Sequence, residues 1–353
     1  MYNFYMPFVS KKILFALILI AVLPLLTQAQ LLLPNLGSPV SFILSPENPG
    51  PDEIVDVRIE SFSLDLNRTT INWLVDGSLF AQGNGLDAIQ IRTGPIGSET
   101  IVSVIIRPDE VTEIFDQIVI RPTHISILWE ADTYTPPFYQ GRALPSSNST
   151  ILIEAYPDIR NQLGNKIPNN DLIFTWKKNG GIINRISGRG QSSAIIDSPL
   201  LFGEDIISVD VVSLDNRYNG SSFARIPSKD PHISIYKDDP LIGIMYHQAI
   251  PSFDTIPTSD ITLAAVPFYF SARNSNDTNV SYVWEVNNLS IPTDPRDPSR
   301  IILRLANGII GAATVSLDIS HVEHFLQSAS NAWTLSISNE SAQGNDPFFR
   351  RTN

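Results

Sequence analysis

The stretch TINWLVDG, residues 70–77, predicts the fold of this chain. Apolar and polar side chains alternate up to Trp73, which is the pattern of a strand with one buried face. Asp76-Gly77 then accepts positive φ at both central positions of a tight hairpin turn. Two similar stretches, FTWKKNG at 174–180 and YVWEVNN at 282–288, place Trp176 and Trp284 at offsets of 103 and 108 residues. The chain therefore consists of tandem units of about 100 residues.

A second signal supports the repeat. The tetrapeptide HISI occurs at residues 124–127 and again at 232–235, and Gln140 falls on Gln248 at the same 108-residue offset. Short strands bounded by turn residues recur between these landmarks, which is typical of antiparallel sandwiches. We predict an all-β fold of three tandem immunoglobulin-like β-sandwiches, with the three repeated tryptophans as core residues. The segment from His321 to Ala329 is the exception, because it could form two helical turns.

The ends of the chain differ from its body. Lys11 and Lys12 precede the apolar run Ile13 to Leu26, and small or short residues follow at 27–29, as in a cleaved signal peptide. The run is 14 residues long, whereas a spanning helix needs roughly 20. An uncleaved signal anchor is the alternative. The predicted divisions are 1–29 signal peptide, 38–122, 123–228 and 229–340 as three β-sandwich domains, and 341–353 a disordered C-terminal tail.

Composition restricts the partners and the chemistry. The net charge of −12 makes nucleic acid and anionic membrane surfaces poor partners. The chain has no cysteine, so disulfides, thiolate metal sites and cysteine nucleophiles are excluded. Outside the signal segment no window reaches membrane length, so we expect no stable membrane insertion after cleavage. The predicted location is extracellular, at the cell surface or in the periplasm.

The three tryptophan stretches resemble the corresponding strand of polycystic-kidney-disease-type (PKD) and related immunoglobulin-like domains in bacterial surface proteins. The resemblance spans nearly all of residues 38–340 and implies that each indole packs between two sheets, as burial physics also indicates. The glycine- and aspartate-bearing loops of PKD domains have no counterpart in the second and third repeats. Such folds serve adhesion, spacing or ligand binding, so the resemblance implies a bacterial, exported, noncatalytic protein.

Several residues could carry chemistry. His321 and His324 would share a helix face and could bind a metal if their segment were helical, but a buried or solvated role is favoured because no third ligand is at hand. Gly83-Asn84-Gly85 and Gly188-Arg189-Gly190 are interpreted as turns or bulges, since strands rather than helices follow them. No cofactor is predicted. Calcium at Asp294 and Asp297 is the alternative, because their carboxylates are hard oxygen ligands.

The aromatic and proline run of residues 129–139 is the best candidate binding site, with Trp129, Tyr134, Phe138 and Tyr139 as its ligand-binding aromatics. The competing interpretation is that these rings pack at the junction of the first and second repeats. A counterpart in the third repeat, Tyr236, Met245 and Tyr246, favours that structural role.

The predicted function is that of a noncatalytic cell-envelope component, a semi-rigid rod with a structural, adhesive or assembly role. Its partners would be other envelope proteins or surface glycans. The first alternative is an array of carbohydrate-binding modules, which requires the aromatic run to be exposed and coplanar. The second is a secreted glycan-active enzyme, which needs two carboxylates roughly 5 to 10 Å apart in a pocket.

Overall fold

The computed structural model describes residues 38–200, 203–256, 260–304 and 311–337. The predicted signal peptide and the C-terminal tail, residues 341–353, lie outside them. Within these ranges the chain forms 24 strands and three single-turn 3-10 helices, at Leu66–Arg68, Asn169–Asp171 and Asn184–Ile186. No helix in the described ranges has the length and apolar character needed to cross a membrane. The all-β prediction is confirmed.

The first compact unit is one sandwich of seven strands. The strands are β1 (Ser41–Ser45), β2 (Ile54–Glu60), β3 (Thr70–Val75), β4 (Ser78–Asn84), β5 (Ala88–Arg92), β6 (Thr100–Arg107) and β7 (Ile114–Ile120). They form two antiparallel sheets, ordered β1-β2-β5 and β4-β3-β6-β7. The inward residues of both sheets meet in one core, in which Val55, Val57 and Ile59 alternate with exposed neighbours along β2.

The second compact unit contains the other two sandwiches, and the first of these repeats the same topology. Its strands are β8 (His124–Ala131), β9 (Thr150–Asp158), β10 (Leu172–Lys178), β11 (Gly181–Ile182), β12 (Gly188–Arg189), β13 (Ser193–Asp197), β14 (Glu204–Ser213) and β15 (Asn219–Pro227). The sheets are ordered β13-β9-β8 and β11-β10-β14-β15, with β12 also paired to β10. Strand for strand, this is the arrangement of the first sandwich, with β12 added.

The third sandwich keeps this plan and adds strands at two edges. Its strands are β16 (His232–Asp239), β17 (Gly243–Ala249), β18 (Phe253–Ile256), β19 (Ile261–Phe268), β20 (Val280–Val286), β21 (Leu289–Ile291), β22 (Arg300–Leu303), β23 (Gly311–His321) and β24 (Ser328–Ile337). The sheets are ordered β17-β16-β19-β22 and β18-β24-β23-β20-β21. Strand β18 pairs with β24 in parallel, so the chain passes from one sheet to the other between β17 and β18.

Each sandwich has one of the repeated tryptophans at the centre of its core. Trp73, Trp176 and Trp284 lie on the equivalent strands β3, β10 and β20, and all three side chains are buried. Each indole Nε1 donates to a backbone carbonyl further along the chain, at Leu86 (2.8 Å), Gln191 (2.9 Å) and Pro298 (3.1 Å). A buried indole N–H needs such a partner, so the following loop must return a carbonyl to the core.

The hairpin turn after each tryptophan strand is the second feature that the three sandwiches share. Both central residues have positive φ in every case, at 76–77, 179–180 and 287–288. The first central residue, Asp76, Asn179 or Asn287, also accepts a backbone N–H of the neighbouring strand through its side-chain oxygen, at 2.8 to 2.9 Å. The short polar side chain therefore tolerates the left-handed conformation and ties the hairpin to the sheet.

We expect Gly180→Ala to destabilise the β10–β11 hairpin by about 1 to 2 kcal/mol, the penalty of a left-handed residue with a Cβ. Gly180 has φ +82° and no atom within 4 Å of the position a Cβ would take, so the cost is purely conformational. Hydrogen exchange of peptides covering residues 172–182 measures it. The neighbouring Gly181→Ala is the control, because Gly181 needs no positive φ. Equal effects from the two variants would contradict the argument.

Candidate functional site

The loop of residues 132–149, between β8 and β9, carries most of the aromatic run and packs against the third sandwich. The backbone N–H of Tyr134 donates to the carbonyl of Phe270, and the N–H of Tyr269 donates to the carbonyl of Tyr134, both at 2.8 Å. The Tyr134 side chain packs with an aromatic cluster that includes Tyr236 and Phe268. We call these contacts, with those of Tyr139 and Gln327 described next, the interdomain joint.

Tyr139 makes the second contact of the joint. Its hydroxyl lies 2.6 Å from the hydroxyl of Tyr269, and its ring meets the Phe268 ring edge-on at 5.7 Å between centroids. The chain beside it is tightly fitted, because a Cβ placed on Gly141 would come within 2.6 Å of the Tyr139 ring. The imidazole of His232 also stacks on the Phe268 ring, at 4.5 Å between centroids. Tyr139 therefore packs in the joint, although 38% of its surface remains exposed.

Gln327, on the turn between β23 and β24, makes the third contact. Its side chain is fully buried, and its Nε2 donates to the Ser147 carbonyl at 2.9 Å and to the Ser271 hydroxyl at 2.8 Å. Its Oε1 accepts the Ser271 N–H at 2.8 Å. The amide thus bridges the loop of the second sandwich and the chain after β19 in the third. Gln327 and Ser147 are buried, and Ser271 is half-buried.

Burial in the joint changes the acidity of its phenols. Burial raises the pKa of Tyr134 to about 12. Burial, helped by the hydrogen bond with Tyr139, raises the pKa of Tyr269 to about 12. Both phenols are neutral at physiological pH, and the joint is held by neutral hydrogen bonds and apolar packing.

We expect the joint to lose stability between about pH 10 and pH 12. An unfolded tyrosine ionises near pH 10, whereas Tyr134 and Tyr269 in the folded joint resist ionisation until about pH 12. The unfolded state therefore releases protons first, and the stabilisation present below pH 10 is lost as the pH rises. Thermal unfolding followed by circular dichroism over pH 8 to 12 measures this loss. Tyr269→Phe removes one of the two groups, so its stability should fall less steeply, and a slope equal to that of the wild type would contradict the assignment.

The other two aromatic residues of the run lie outside the contacts of the joint. Phe138 has 91% of its surface exposed and holds a φ of +66°. Trp129 is half-buried at the edge of the second core, and the Arg142 guanidinium lies 4.4 Å from its ring centroid. The four predicted ligand-binding aromatics are therefore separated, two within the joint and two at the surface, and they do not form one coplanar platform.

The prediction that this run packs at the junction of the first and second repeats is wrong. Tyr134 and Tyr139 contact the third sandwich, and the residues proposed as their counterpart, Tyr236 and Tyr246, belong to the same cluster as Tyr134. The two sets of aromatic residues are therefore not equivalent positions in two repeats. They are the two sides of a single contact between the second and third sandwiches. Met245 does not take part and lines a separate depression with Ile256 and Ile261.

Two depressions flank the run. The first, which we call the aromatic cleft, has a volume of about 490 Å³. It is lined by Pro136, Pro137, Phe138, Tyr139, Gln140, Tyr236, Ile244, Tyr246, His247 and Phe268. The second, the Trp129 groove, has a volume of about 680 Å³. It is lined by Leu128, Trp129, Glu130, Thr135, Gln140, Gly141, Arg142, Ala143, Leu152, Glu154 and Tyr156. Gln140 lines both, so the two depressions adjoin.

The predicted helix at His321 to Ala329 does not form. Strand β23 runs to His321 and strand β24 starts at Ser328, so a turn joins two paired strands. His321 Nδ1 accepts the backbone N–H groups of Glu323 and His324 at 3.1 and 3.0 Å, and Nε2 lies 3.1 Å from the Ser271 carbonyl. Burial, followed by the charge of His324, lowers the pKa of His321. Both nitrogens of this imidazole are engaged in ordering the turn.

The remaining predicted candidates also have local partners. Asp297 accepts from the Ser299 hydroxyl at 3.0 Å and pairs with Arg300 at 2.8 Å, and Asp294 accepts the Arg296 N–H at 2.9 Å. The glycine pairs lie in the connections that return a carbonyl to Trp73 and Trp176. Among the residues that the structure describes, no three His, Asp or Glu side chains cluster in a way that could hold a metal ion.

Sequence reasoning missed Phe268, Tyr269 and Gln327. The apolar run Val266-Pro267-Phe268-Tyr269-Phe270 continues past the end of β19, and that excess length was a usable signal of a second buried surface. Gln327 gave no signal, since a single polar residue in a turn is ordinarily solvated.

Comparison with known proteins gives no family. No family model matches the chain, and no curated protein matches its sequence. Solved structures that align with it include the three N-terminal domains of the Hoc capsid protein of bacteriophage RB49 (10% identity, 85% of this chain and 99% of that one, TM-score 0.26). Others are the central fibronectin-III array of RIM-binding protein (12%, 87% and 98%, 0.29) and the Bacteroides ovatus protein SGBP-B in complex with a mixed-linkage heptasaccharide (11%, 82% and 65%, 0.23). The immunoglobulin-like assignment is therefore based on the strand order of the sheets themselves.

Proposed function

We propose that this chain is an exported, noncatalytic protein of the bacterial cell envelope or cell surface, with a structural, adhesive or assembly role. The observation that carries the proposal is the interdomain joint. The backbone pairing of Tyr134 with Tyr269 and Phe270, together with the buried amide of Gln327, ties the second sandwich to the third. The loop between β8 and β9 therefore supports the proposal as a connection between two modules.

The candidate chemistry supports the same proposal. In sandwich folds, function usually resides in the loops between strands. In this chain the loop of 132–149 contributes packing and backbone hydrogen bonds to the joint, and the turn of 321–327 is ordered by His321. These interactions serve rigidity rather than proton transfer. We propose the PKD type of immunoglobulin-like domain on the resemblance of the tryptophan strands alone.

Protease treatment of intact source cells, followed by immunodetection, tests the location. We expect the protein to be degraded by external protease while a cytoplasmic marker survives, and protection equal to that of the marker would contradict export. Mass spectrometry of the mature protein should find its N-terminus near Gln30. A retained segment 1–29 would instead identify a signal anchor.

Incubation with soluble polysaccharides tests the noncatalytic role. We expect no release of reducing ends above a heat-treated sample. Release that disappears in Glu130→Gln or Glu154→Gln would identify an enzyme in the Trp129 groove and overturn this part of the proposal. The two carboxylates are the relevant pair because both line that groove.

A further inference from the structure

The surface around Phe138 has two properties that packing does not explain. Phe138 exposes 91% of its surface, although it lies between Pro137 and the anchored Tyr139. It also adopts a φ of +66°, a conformation that disfavours residues with a Cβ. Residues held in such conformations cluster at ligand sites, because the surrounding structure must maintain them. Here the joint maintains the conformation, since Tyr139 next to Phe138 is bonded to Tyr269.

The aromatic cleft beside Phe138 offers ring faces at a solvent boundary. Tyr236 and Phe268 are buried at its base, and Tyr246 packs against Tyr236 at 5.7 Å between centroids. Gln140 and His247 supply polar groups at its rim. An apolar cleft with a few convergent polar groups is the usual form of a small-ligand site.

The Trp129 groove adds negatively charged acceptors and a positively charged donor. On the sheet β13-β9-β8, Glu130 pairs with Leu152 and Glu154 with Leu128, so the two carboxylates are diagonal neighbours on one face, roughly 7 Å apart at Cβ. The Tyr156 hydroxyl donates to Glu154 Oε2 at 2.5 Å and orients that carboxylate. Arg142, whose guanidinium lies over the Trp129 ring, supplies donors in the same groove.

The two depressions together select one ligand class. Carboxylate acceptors and guanidinium and amide donors within one groove suit a ligand that both donates and accepts, as vicinal hydroxyl groups do. An anionic ligand would meet Glu130 and Glu154, and a cationic one would meet Arg142. The exposed ring of Phe138 suits the apolar C–H face of a sugar. The adjoining volumes of about 490 and 680 Å³ suit more than one sugar ring.

We propose that the surface formed by the aromatic cleft and the Trp129 groove binds a neutral oligosaccharide, which crosses the run at Gln140. Sugar rings stack on Phe138 in the cleft, and hydroxyl groups bond to Glu130, Glu154 and Arg142 in the groove. This proposal deepens the adhesive role proposed above and rests on it. It differs from the predicted array of modules, because it proposes one site beside the joint rather than one site in each sandwich.

Calorimetry of the full chain with hexasaccharides of β-1,3-glucose, β-1,4-glucose, α-1,4-glucose and β-1,4-N-acetylglucosamine tests the proposal. We expect saturable binding of at least one of them. Phe138→Ala should weaken that binding about tenfold or more, in line with the loss of one ring contact. Glu154→Gln should also weaken it about tenfold, through loss of a charged acceptor. Phe138 and Glu154 are at the surface, so neither substitution opens a core.

Phe62→Ala is the matched control, because Phe62 is a fully exposed phenylalanine on the first sandwich. It should leave the affinity unchanged. Acrylamide quenching gives an independent readout. Of the five tryptophans in the chain, Trp73, Trp176, Trp284 and Trp333 are buried and Trp129 is half-exposed, so protection by the sugar reports on the groove.

Two results would overturn the proposal. They are the absence of saturable binding to any of the four hexasaccharides, whether or not polygalacturonate binds, and binding that Phe138→Ala and Glu154→Gln leave unchanged. Each of these outcomes is distinguishable from failure of the proposed function, since surface location is measured separately by protease treatment of intact cells.

Discussion

Trp176→Ala is expected to lower the free energy of unfolding of the second sandwich by about 4 kcal/mol, within the range found for large aromatic truncations in cores. The Trp176 side chain is fully buried among Phe174, Val209 and their neighbours, so its removal leaves a cavity in the centre of that core. It also leaves the Gln191 carbonyl without its indole donor. Domains of this size are stabilised by only 5 to 15 kcal/mol or so, and the variant loses a large part of that.

Hydrogen exchange monitored by mass spectrometry is the suitable measurement, because it assigns the loss to particular strands in a chain of several domains. Peptides from β10 and β14 should lose most of their protection. Phe223→Ala is the control, since Phe223 lies on β15 of the same sandwich with its side chain exposed. We expect an effect below about 0.5 kcal/mol for it. A loss below about 1 kcal/mol in Trp176→Ala would show that the indole is not the centre of the core.

The features that could be predicted from the sequence are those encoded within a short stretch of the chain. The tryptophan strand and its turn occupy eight residues, and both central turn residues must accept positive φ, so Asp76-Gly77 and Asn179-Gly180 are recognisable by themselves. The glycines that lie 10 to 14 residues after Trp73 and Trp176 also had a visible spacing. The role of these glycine segments is visible only in the folded structure, where the connection brings a backbone carbonyl to the indole N–H.

The contacts that the sequence did not reveal join residues that lie far apart in the chain. The hydroxyl pair of Tyr139 and Tyr269 spans 130 residues, and the bond from Gln327 to Ser147 spans 180. No periodicity encodes such contacts. An aromatic run therefore suggests equally a ligand platform and a packing surface. In this run Tyr134 and Tyr139 pack in the joint, whereas Phe138 is exposed.

The helix expected at His321 to Ala329 failed for a related reason. Local propensity allowed two helical turns, but β23 and β24 pair over ten positions, from Gly311 with Ile337 to Ser320 with Ser328. This pairing places Trp333 and Leu335 in the third core. Burial of those side chains outweighs a weak helical preference, which is the usual outcome when tertiary packing and propensity disagree.

Gln327→Leu should destabilise the interdomain joint by about 3 kcal/mol, because it leaves one buried and two part-buried groups without their partner, each worth about 1 to 3 kcal/mol when unsatisfied. These groups are the Ser147 carbonyl, the Ser271 N–H and the Ser271 hydroxyl. Leucine is one heavy atom shorter than glutamine and cannot form hydrogen bonds, so most of the loss is one of hydrogen bonding and a smaller part is one of volume. We expect faster hydrogen exchange in peptides covering residues 143–150 and 266–273.

The control is Gln248→Leu, since Gln248 is exposed on β17 of the same sandwich and should change stability by less than about 0.5 kcal/mol. The comparison also separates two kinds of joint. If apolar packing of Tyr134, Tyr139 and Phe268 held the modules together, Gln327→Leu would leave exchange in both peptides unchanged. A selective loss of protection in 143–150 and 266–273, with β10 and β14 still protected, would show that the buried amide of Gln327 contributes to the coupling of the second sandwich to the third.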